Sequence, residues 1–282
     1  MKLLLRIMLL FIPLVFLSVP SYLQAAGRYI TCKPKPAKKK ATPQGTSNYT
    51  PEVLTFTVNG VTFDMVEVRG GTFMMGATSE QDEADDNEKP VHQVTVSSFY
   101  MGKTEVTQAL WKAVTGGKPS QFLGSLRPVE NVSWEDCQDF IAKLNRLTGM
   151  HFRLPTEAEW EFAARGGIKS FGTQFSGNND LDEVAWYYNN NEGQTHDVAT
   201  KRPNELGLYD MSGNVWEWCS DWYGDYNSAS QTNPTGPSSG TYRVLRGGSW
   251  NYNVRLCRVS YRSYLNPANR INYCGLRLGL IS

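Results

Sequence analysis

Hydrophobic alternation opens the patterned part of the chain. Thr55-Phe56-Thr57-Val58-Asn59-Gly60-Val61-Thr62-Phe63 puts apolar side chains at every second position on either side of Asn-Gly, which predicts a β-hairpin. The second strand continues through Met65-Val66-Glu67-Val68 to a Gly70-Gly71 turn. Thr72-Phe73-Met74-Met75-Gly76 reads as a short buried strand, and Val91-His92-Gln93-Val94-Thr95-Val96 as a half-buried one. The period then becomes helical. Thr107 is placed to cap a short helix with Leu110, Trp111 and Val114 on its apolar face and Gly116-Gly117 at its end. Ser133 and Asp136 form a capping box ahead of Trp134, Cys137, Ile141 and Leu144, with Gly149 closing that helix. Thr156 and Glu159 repeat the device for a third helix that Gly166 terminates. Residues 171–203 are rich in Gly, Asn and Asp and read as irregular, while 242–250 and 274–278 return to strand-like patterns.

One run fits neither period. Gly207-Leu208-Tyr209-Asp210-Met211-Ser212-Gly213-Asn214-Val215-Trp216-Glu217-Trp218-Cys219-Ser220-Asp221-Trp222 is read as an ordered loop held by its large side chains. Asp210 and Glu217, with backbone carbonyls between them, are a hard oxygen set of the kind that wraps calcium. Other charged clusters have simpler readings. The acids between Glu80 and Glu88 read as a solvated loop, and Glu157, Glu159 and Glu161 as capping and ion-pairing groups rather than a catalytic pair. Arg255, Arg258, Arg262 and Arg270, interleaved with tyrosines, read as partners of internal ion pairs. His92, His151 and His196 lack mutual ligand spacing, which argues against a histidine-based iron site.

Composition adds an address. Residues 1–26 have the basic start, short apolar run and small-residue exit of a secretory signal peptide, so export to a periplasmic or extracellular space is expected. Membrane attachment would follow only if that segment stayed uncleaved. Residues 27–50, Lys- and Pro-rich without an acid, read as a flexible basic linker, leaving 51–282 as one domain. The formal charge of the chain is +1, and its first fifty residues carry eight cations and no acid, so the domain itself carries −7. An acidic body excludes nucleic acid as the natural partner. Cys32, Cys137, Cys219, Cys257 and Cys274 form no CxxC pair, so zinc is not indicated, while one or two disulfides suit an oxidising space.

Gly70-Gly71-Thr72-Phe73-Met74-Met75-Gly76, Lys89-Pro90-Val91-His92, Glu105-Val106-Thr107 and Pro128-Val129-Glu130-Asn131-Val132-Ser133-Trp134 occur in this order, followed by Arg153-Leu154-Pro155-Thr156-Glu157-Ala158-Glu159-Trp160-Glu161. With the 207–218 run, Arg246-Gly247-Gly248-Ser249-Trp250 and Gly275-Leu276-Arg277-Leu278, the set resembles the formylglycine-generating enzyme (sulfatase-modifying factor) family from about residue 56 to residue 278. The resemblance implies an α+β domain related to C-type lectins and low in regular secondary structure. It also implies calcium on Asp210, Glu217 and the carbonyls of Gly213 and Val215. Family enzymes oxidise a sulfatase cysteine to formylglycine with copper(I) held by two cysteines. The second of those positions is Cys257, beside Ser249 and Trp250, but the first is Tyr252, and a thiolate with a phenol cannot reproduce the site. The resemblance therefore implies a binding module with a groove near Trp216, Ser249, Trp250 and Tyr252 for a peptide or protein partner. The alternatives are a sulfatase-directed oxidase using Cys257, Ser249 and Trp250, or another metal-dependent oxidoreductase. It also brings Cys219 and Cys257 to one groove, which makes them candidates for a disulfide.

Overall fold

A computed structural model describes residues 49–282. The expected signal peptide and nearly all of the expected linker lie outside the described residues. Tyr49, at the end of the expected linker, packs on the domain: it donates its hydroxyl to the Glu67 carbonyl at 2.9 Å and carries Arg69 over its ring.

Among the described residues twelve strands and four α-helices follow one another as β1 Val53–Val58, β2 Val61–Val68, β3 Gly71–Met75, β4 His92–Val96, β5 Phe99–Gly102, α1 Gln108–Thr115, α2 Trp134–Thr148, β6 Phe152–Arg153, α3 Glu157–Ala164, α4 Leu181–Val184, β7 Trp216–Trp222, β8 Gln231–Thr232, β9 Arg243–Arg246, β10 Arg262–Leu265, β11 Cys274–Gly275 and β12 Gly279–Ile281. The class is α+β, with mixed sheets and few helices. One sheet runs β1-β2-β5-β12-β6, a second β10-β9-β7-β11 and a third β3-β4-β8. The β1–β2 hairpin turns at Asn59 and Gly60, whose φ angles of 48° and 84° are those of a primed turn, with Val58 paired to Val61.

The three anticipated caps are made. Thr107 accepts from Leu110 N, while Ser133/Asp136 and Thr156/Glu159 close reciprocal capping boxes. Each satisfies backbone donors that a helix start leaves orphaned. Helices α1 and α2 bury Leu110, Trp111, Phe140, Ile141 and Leu144 in a core shared with Trp216 and Trp218. A second core gathers Trp160, Phe162, Met101, Met211 and Cys219 around α3.

The structure corrects two expectations here. The end of the 207–222 run is not loop but β7, paired to β9 on one side and β11 on the other. Its first four residues are all buried, and a strand covered on both faces has no polar side to alternate with. The acidic stretch from Glu80 to Glu88 is not merely solvated. Glu88 is fully buried, donated to by Arg258 at 2.7 and 2.8 Å, and Glu80 pairs with Arg165 at 2.6 Å.

Candidate functional site

Residues 207–215 enter β7 through a tightly curled approach. Asp210, Gly213 and Asn214 have φ of 57°, 82° and 58°, left-handed values that non-glycine residues adopt only under constraint. A Cβ at Gly213 would sit 2.3 Å from the Trp186 carbonyl oxygen, so this position has room only for glycine. The curl is fastened from outside: Gly213 N donates to Gly247 O and Asn214 N to Trp186 O, both at 2.8 Å. Trp250 N in turn donates to Asn214 O at 2.8 Å.

Beneath the curl lies a buried acidic cluster. Glu105 accepts from Asn214 Nδ2 at 2.7 Å and from Val215 N at 3.0 Å. Glu217 takes Arg277 on both carboxylate oxygens, from 2.6 to 3.0 Å, and accepts Trp160 Nε1 at 2.7 Å. Asp210 Oδ2 accepts from Ala199 N at 2.8 Å, but its Oδ1 is buried with no hydrogen-bond partner. Burial, followed by the negative charges of Asp210 and Glu217, pushes the Glu105 carboxyl well above its ordinary range. Burial likewise raises Asp210 to about 6. Three acids thus share one guanidinium, Arg277.

An orphaned carboxylate oxygen inside an acid excess fits a divalent cation. Asp210 presents that oxygen; Glu217, by contrast, is already engaged and would have to share its charge with Arg277. Among the described residues no group of three His, Cys, Asp or Glu side chains is arranged to hold a metal, so any ion here depends on carbonyl oxygens beside the acids. Sequence reasoning passed over Glu105 and Arg277 as cluster members. The one available signal was a lone arginine between Leu276 and Leu278; Glu105, among Lys103, Thr104 and Thr107, carried none.

The two positions compared with a copper pair differ in environment as well as chemistry. Cys257 is fully buried beside Phe175, Leu181, Val184, Ala185 and Tyr187, and burial pushes its thiol up to about 12. It faces the backbone of Gly248, where a Cβ would lie 2.8 Å from the sulfur. Tyr252 packs edge-on against Trp216 at 5.7 Å and against Tyr273 at 5.4 Å, and burial raises its phenol above the ordinary range. A protonated buried thiol and a neutral phenol do not fit copper(I), which requires soft thiolates. Ser249 is buried and donates to Asn251 Oδ1 at 2.8 Å.

The expected groove is also rearranged. Trp216 is only 2% exposed, a floor residue capped by Tyr252 and Tyr261 rather than a groove wall. What faces outward is a rim: Phe122 against Trp250 at 5.1 Å, Leu123 beside it, and Tyr188, whose amide donates to the Tyr252 carbonyl. Leu123 is 73% exposed and Tyr188 66%. The expected Cys219–Cys257 disulfide is absent; both thiols are free and buried in separate cores. Cys219 belongs to the core around α3 and Cys257 to the small core around α4, so nothing brings the sulfurs together.

Comparison with known proteins matches the geometry. Residues 52–280 match the family described as sulfatase-modifying factor enzyme 1-like domain. The chain is 36% identical to the chaperone protein LppX of Paenibacillus barcinonensis over 251 residues, 71% of this chain and 83% of that one. It is 30% identical to the formylglycine-generating enzyme of Streptomyces coelicolor over 282 residues, 75% of this chain and 87% of that one. Among solved structures, the Treponema denticola variable protein 1 superposes with a TM-score of 0.75 at 34% identity, covering 83% of this chain and all of the other. This chain belongs to the sulfatase-modifying factor (formylglycine-generating enzyme) family.

Proposed function

We propose that this protein is an exported, calcium-stabilised binding module of its family that lacks the copper oxidase centre and holds a peptide or protein partner on the rim around Tyr252. The observation that carries the reading is the pair of positions 252 and 257: a phenol stands at one, and a thiol buried among apolar side chains at the other. Calcium is supported by the unpartnered Asp210 Oδ1 within an excess of buried acid. The rim is supported by exposed Leu123 and Tyr188 beside Trp250 and Tyr252, aromatic and aliphatic groups of the kind that anchor a partner. That a 36% identical relative is named a chaperone is in keeping with a protein partner.

In this reading each residue has a task. Glu105 clamps the curl through Asn214 and Val215, Asp210 offers an oxygen to the ion, and Arg277 holds Glu217 in place at the start of β7. Calcium would supply the missing positive charge and coordinate carbonyl oxygens of the same curl.

The test is a copper(I) titration of the purified protein against a competing chelator, with peptide mass as the readout for conversion of cysteine to formylglycine in a sulfatase-type peptide. The expected result is weak copper binding and no mass change. Tight binding with turnover would instead assign the oxidase activity of the enzyme relatives.

A further inference from the structure

At the far end of β7 from Tyr252, about 20 Å away by strand rise, the chain forms a cavity unrelated to the curl. Its volume is ≈ 370 Å³, and Met75, His92, Glu157, Asp221, Tyr226 and Arg262 line it together with the 234–237 segment. That is large enough for a side chain or small ligand group.

The charges around it are unequally used. Glu157 is saturated: Arg262 donates to both its oxygens at 2.6 and 2.9 Å, Arg246 lies 3.5 Å away, and Tyr226 OH donates at 3.3 Å. Arg262 is held in turn, four of its five N–H groups engaged, two with Glu157 and two with the carbonyls of Asn87 and Gly224. Asp221 is different. Its Oδ2 accepts from Glu157 N at 3.0 Å and Ser220 Oγ at 2.8 Å, and no described donor reaches its Oδ1. The side chain is only 4% exposed, and Oδ1 is directed toward Gly236, where an added Cβ would lie 3.3 Å from it. A carboxylate oxygen that the protein leaves without a donor at the wall of a cavity is open to a donor on a ligand.

His92 adds a second acceptor. Its Nδ1 lies 3.0 Å from the Pro90 carbonyl, which only accepts, so a proton belongs on Nδ1, and in the neutral ring Nε2 is left as an acceptor. The ring packs edge-on against Tyr226 at 4.7 Å. Asp225 completes an acid-rich lining.

We propose that this cavity is a recognition site for a cationic nitrogen group, a primary ammonium or a guanidinium on a peptide side chain, received by Asp221. Every acceptor that is not already used points to a donor-rich ligand, and the lining has no unengaged cation to repel it. The groups facing Asp221 are Glu157 and Glu159 from α3, Ser220 beside it on β7, Arg262 from β10, His92 from β4, Asp225 and Tyr226 from the following loop, and Arg243 from β9. Arg243 is close enough for its charge to be felt by Asp221 but makes no hydrogen bond to it: its guanidinium is stacked between Trp134 and Trp222 at 3.9 and 3.5 Å and donates to the Ser220 carbonyl. Burial and the charge of Glu157 raise Asp221 to about 7, so a bound cation shifts it toward the ionised form. The site is independent of the rim and calcium reading, and failure of either leaves the other intact.

The test uses acetyl-Gly-Lys-Gly-amide, its arginine counterpart and its Nε-acetyl-lysine counterpart, titrated into the whole protein by NMR and calorimetry. Saturable binding of the lysine or arginine peptide at pH 8 is expected, weaker at least tenfold at pH 5.5 as Asp221 is protonated. The stronger of the two distinguishes ammonium from guanidinium, and the acetylated peptide should not bind. Asp221→Asn keeps the acceptor for Glu157 N and should lose at least tenfold in affinity. Should that variant fail to fold, calorimetry of the wild type at pH 7 in buffers of different ionisation heat decides, with proton release on binding expected. No saturable binding at pH 8, equal binding of the acetylated peptide, unchanged affinity in a folded Asp221→Asn, or no proton release would each overturn the proposal.

Discussion

Two buried charge networks meet β7 and its neighbours, and they are built to different accounts. Around α3 every acid has a guanidinium: Glu157 has Arg262, Glu161 has Arg246 and Arg165, and Glu159 has Arg153. Under the 207–215 curl, Glu105, Asp210 and Glu217 have Arg277 alone, and one oxygen is left bare. The first network closes on itself and explains structure. The second remains short of positive charge, and the proposed calcium reading rests on that shortage. Burying an ion is tolerable only when its charge and hydrogen bonds are met, so one network is closed while the other keeps a buried carboxylate oxygen unmet.

The sharpest way to break the comparison is to unbalance the balanced side. Arg246 is fully buried, donates to the carbonyls of Ser260 and Val259 and pairs with Glu161. Arg246→Met should cost about 3–5 kcal/mol in urea unfolding, because Glu161 and Glu157 lose a buried partner. Adding Glu161→Gln should recover part of that loss, and a strictly additive double variant would argue against coupling.

Next comes the unbalanced side. Calcium at a hundredfold excess over its dissociation constant should stabilise by about 2.7 kcal/mol, seen as a melting temperature that drops on adding chelator. Asp210→Asn should shrink that difference. Glu217→Gln should lower stability in both buffers, because Arg277 stays buried with a weaker acceptor. Identical melting with and without calcium in the wild type would remove the asymmetry.

The smallest expected effect lies outside both networks. Glu130 is buried, its Oε1 accepts Phe122 N at 2.9 Å, its Oε2 has no partner, and burial raises it to about 7. The unfolded carboxyl ionises near its ordinary 4.5, so between pH 4.5 and 7 the unfolded state sheds its proton first and the fold loses stability as pH rises. The penalty is complete above pH 7. Glu130→Gln should therefore stabilise the protein by about 1 kcal/mol at pH 8, after allowance for solvent screening, and by nearly nothing at pH 4. An equal gain at both values would locate the effect elsewhere.

Much of this was written locally. The hairpin followed from Asn59-Gly60, and all three caps from Thr107, Ser133 and Thr156, because a turn type and a helix start depend on a few adjacent residues. The internal ion pairs of Arg255, Arg258, Arg262 and Arg270 were also anticipated as a class, since an acidic domain offers them carboxylates; Asp85, Glu88, Glu157 and Asp136 proved to be the partners. Family membership was legible too, because motifs spread in order along the chain are a property of sequence alone.

Tertiary structure decided the rest. The run from Trp216 to Trp222 became a strand because partners on both sides and cores on both faces supplied what its own pattern could not advertise. The proposed disulfide failed because sequence spacing does not say that Cys219 and Cys257 belong to different cores. Trp216 looked like a groove wall and is a buried floor, since an aromatic side chain serves either purpose. Glu105, Asp210, Glu217 and Arg277 meet from distant parts of the chain. Whether an acid is balanced, bare or exposed is set by what the fold carries to within hydrogen-bonding distance of it, and that distance is invisible along the sequence.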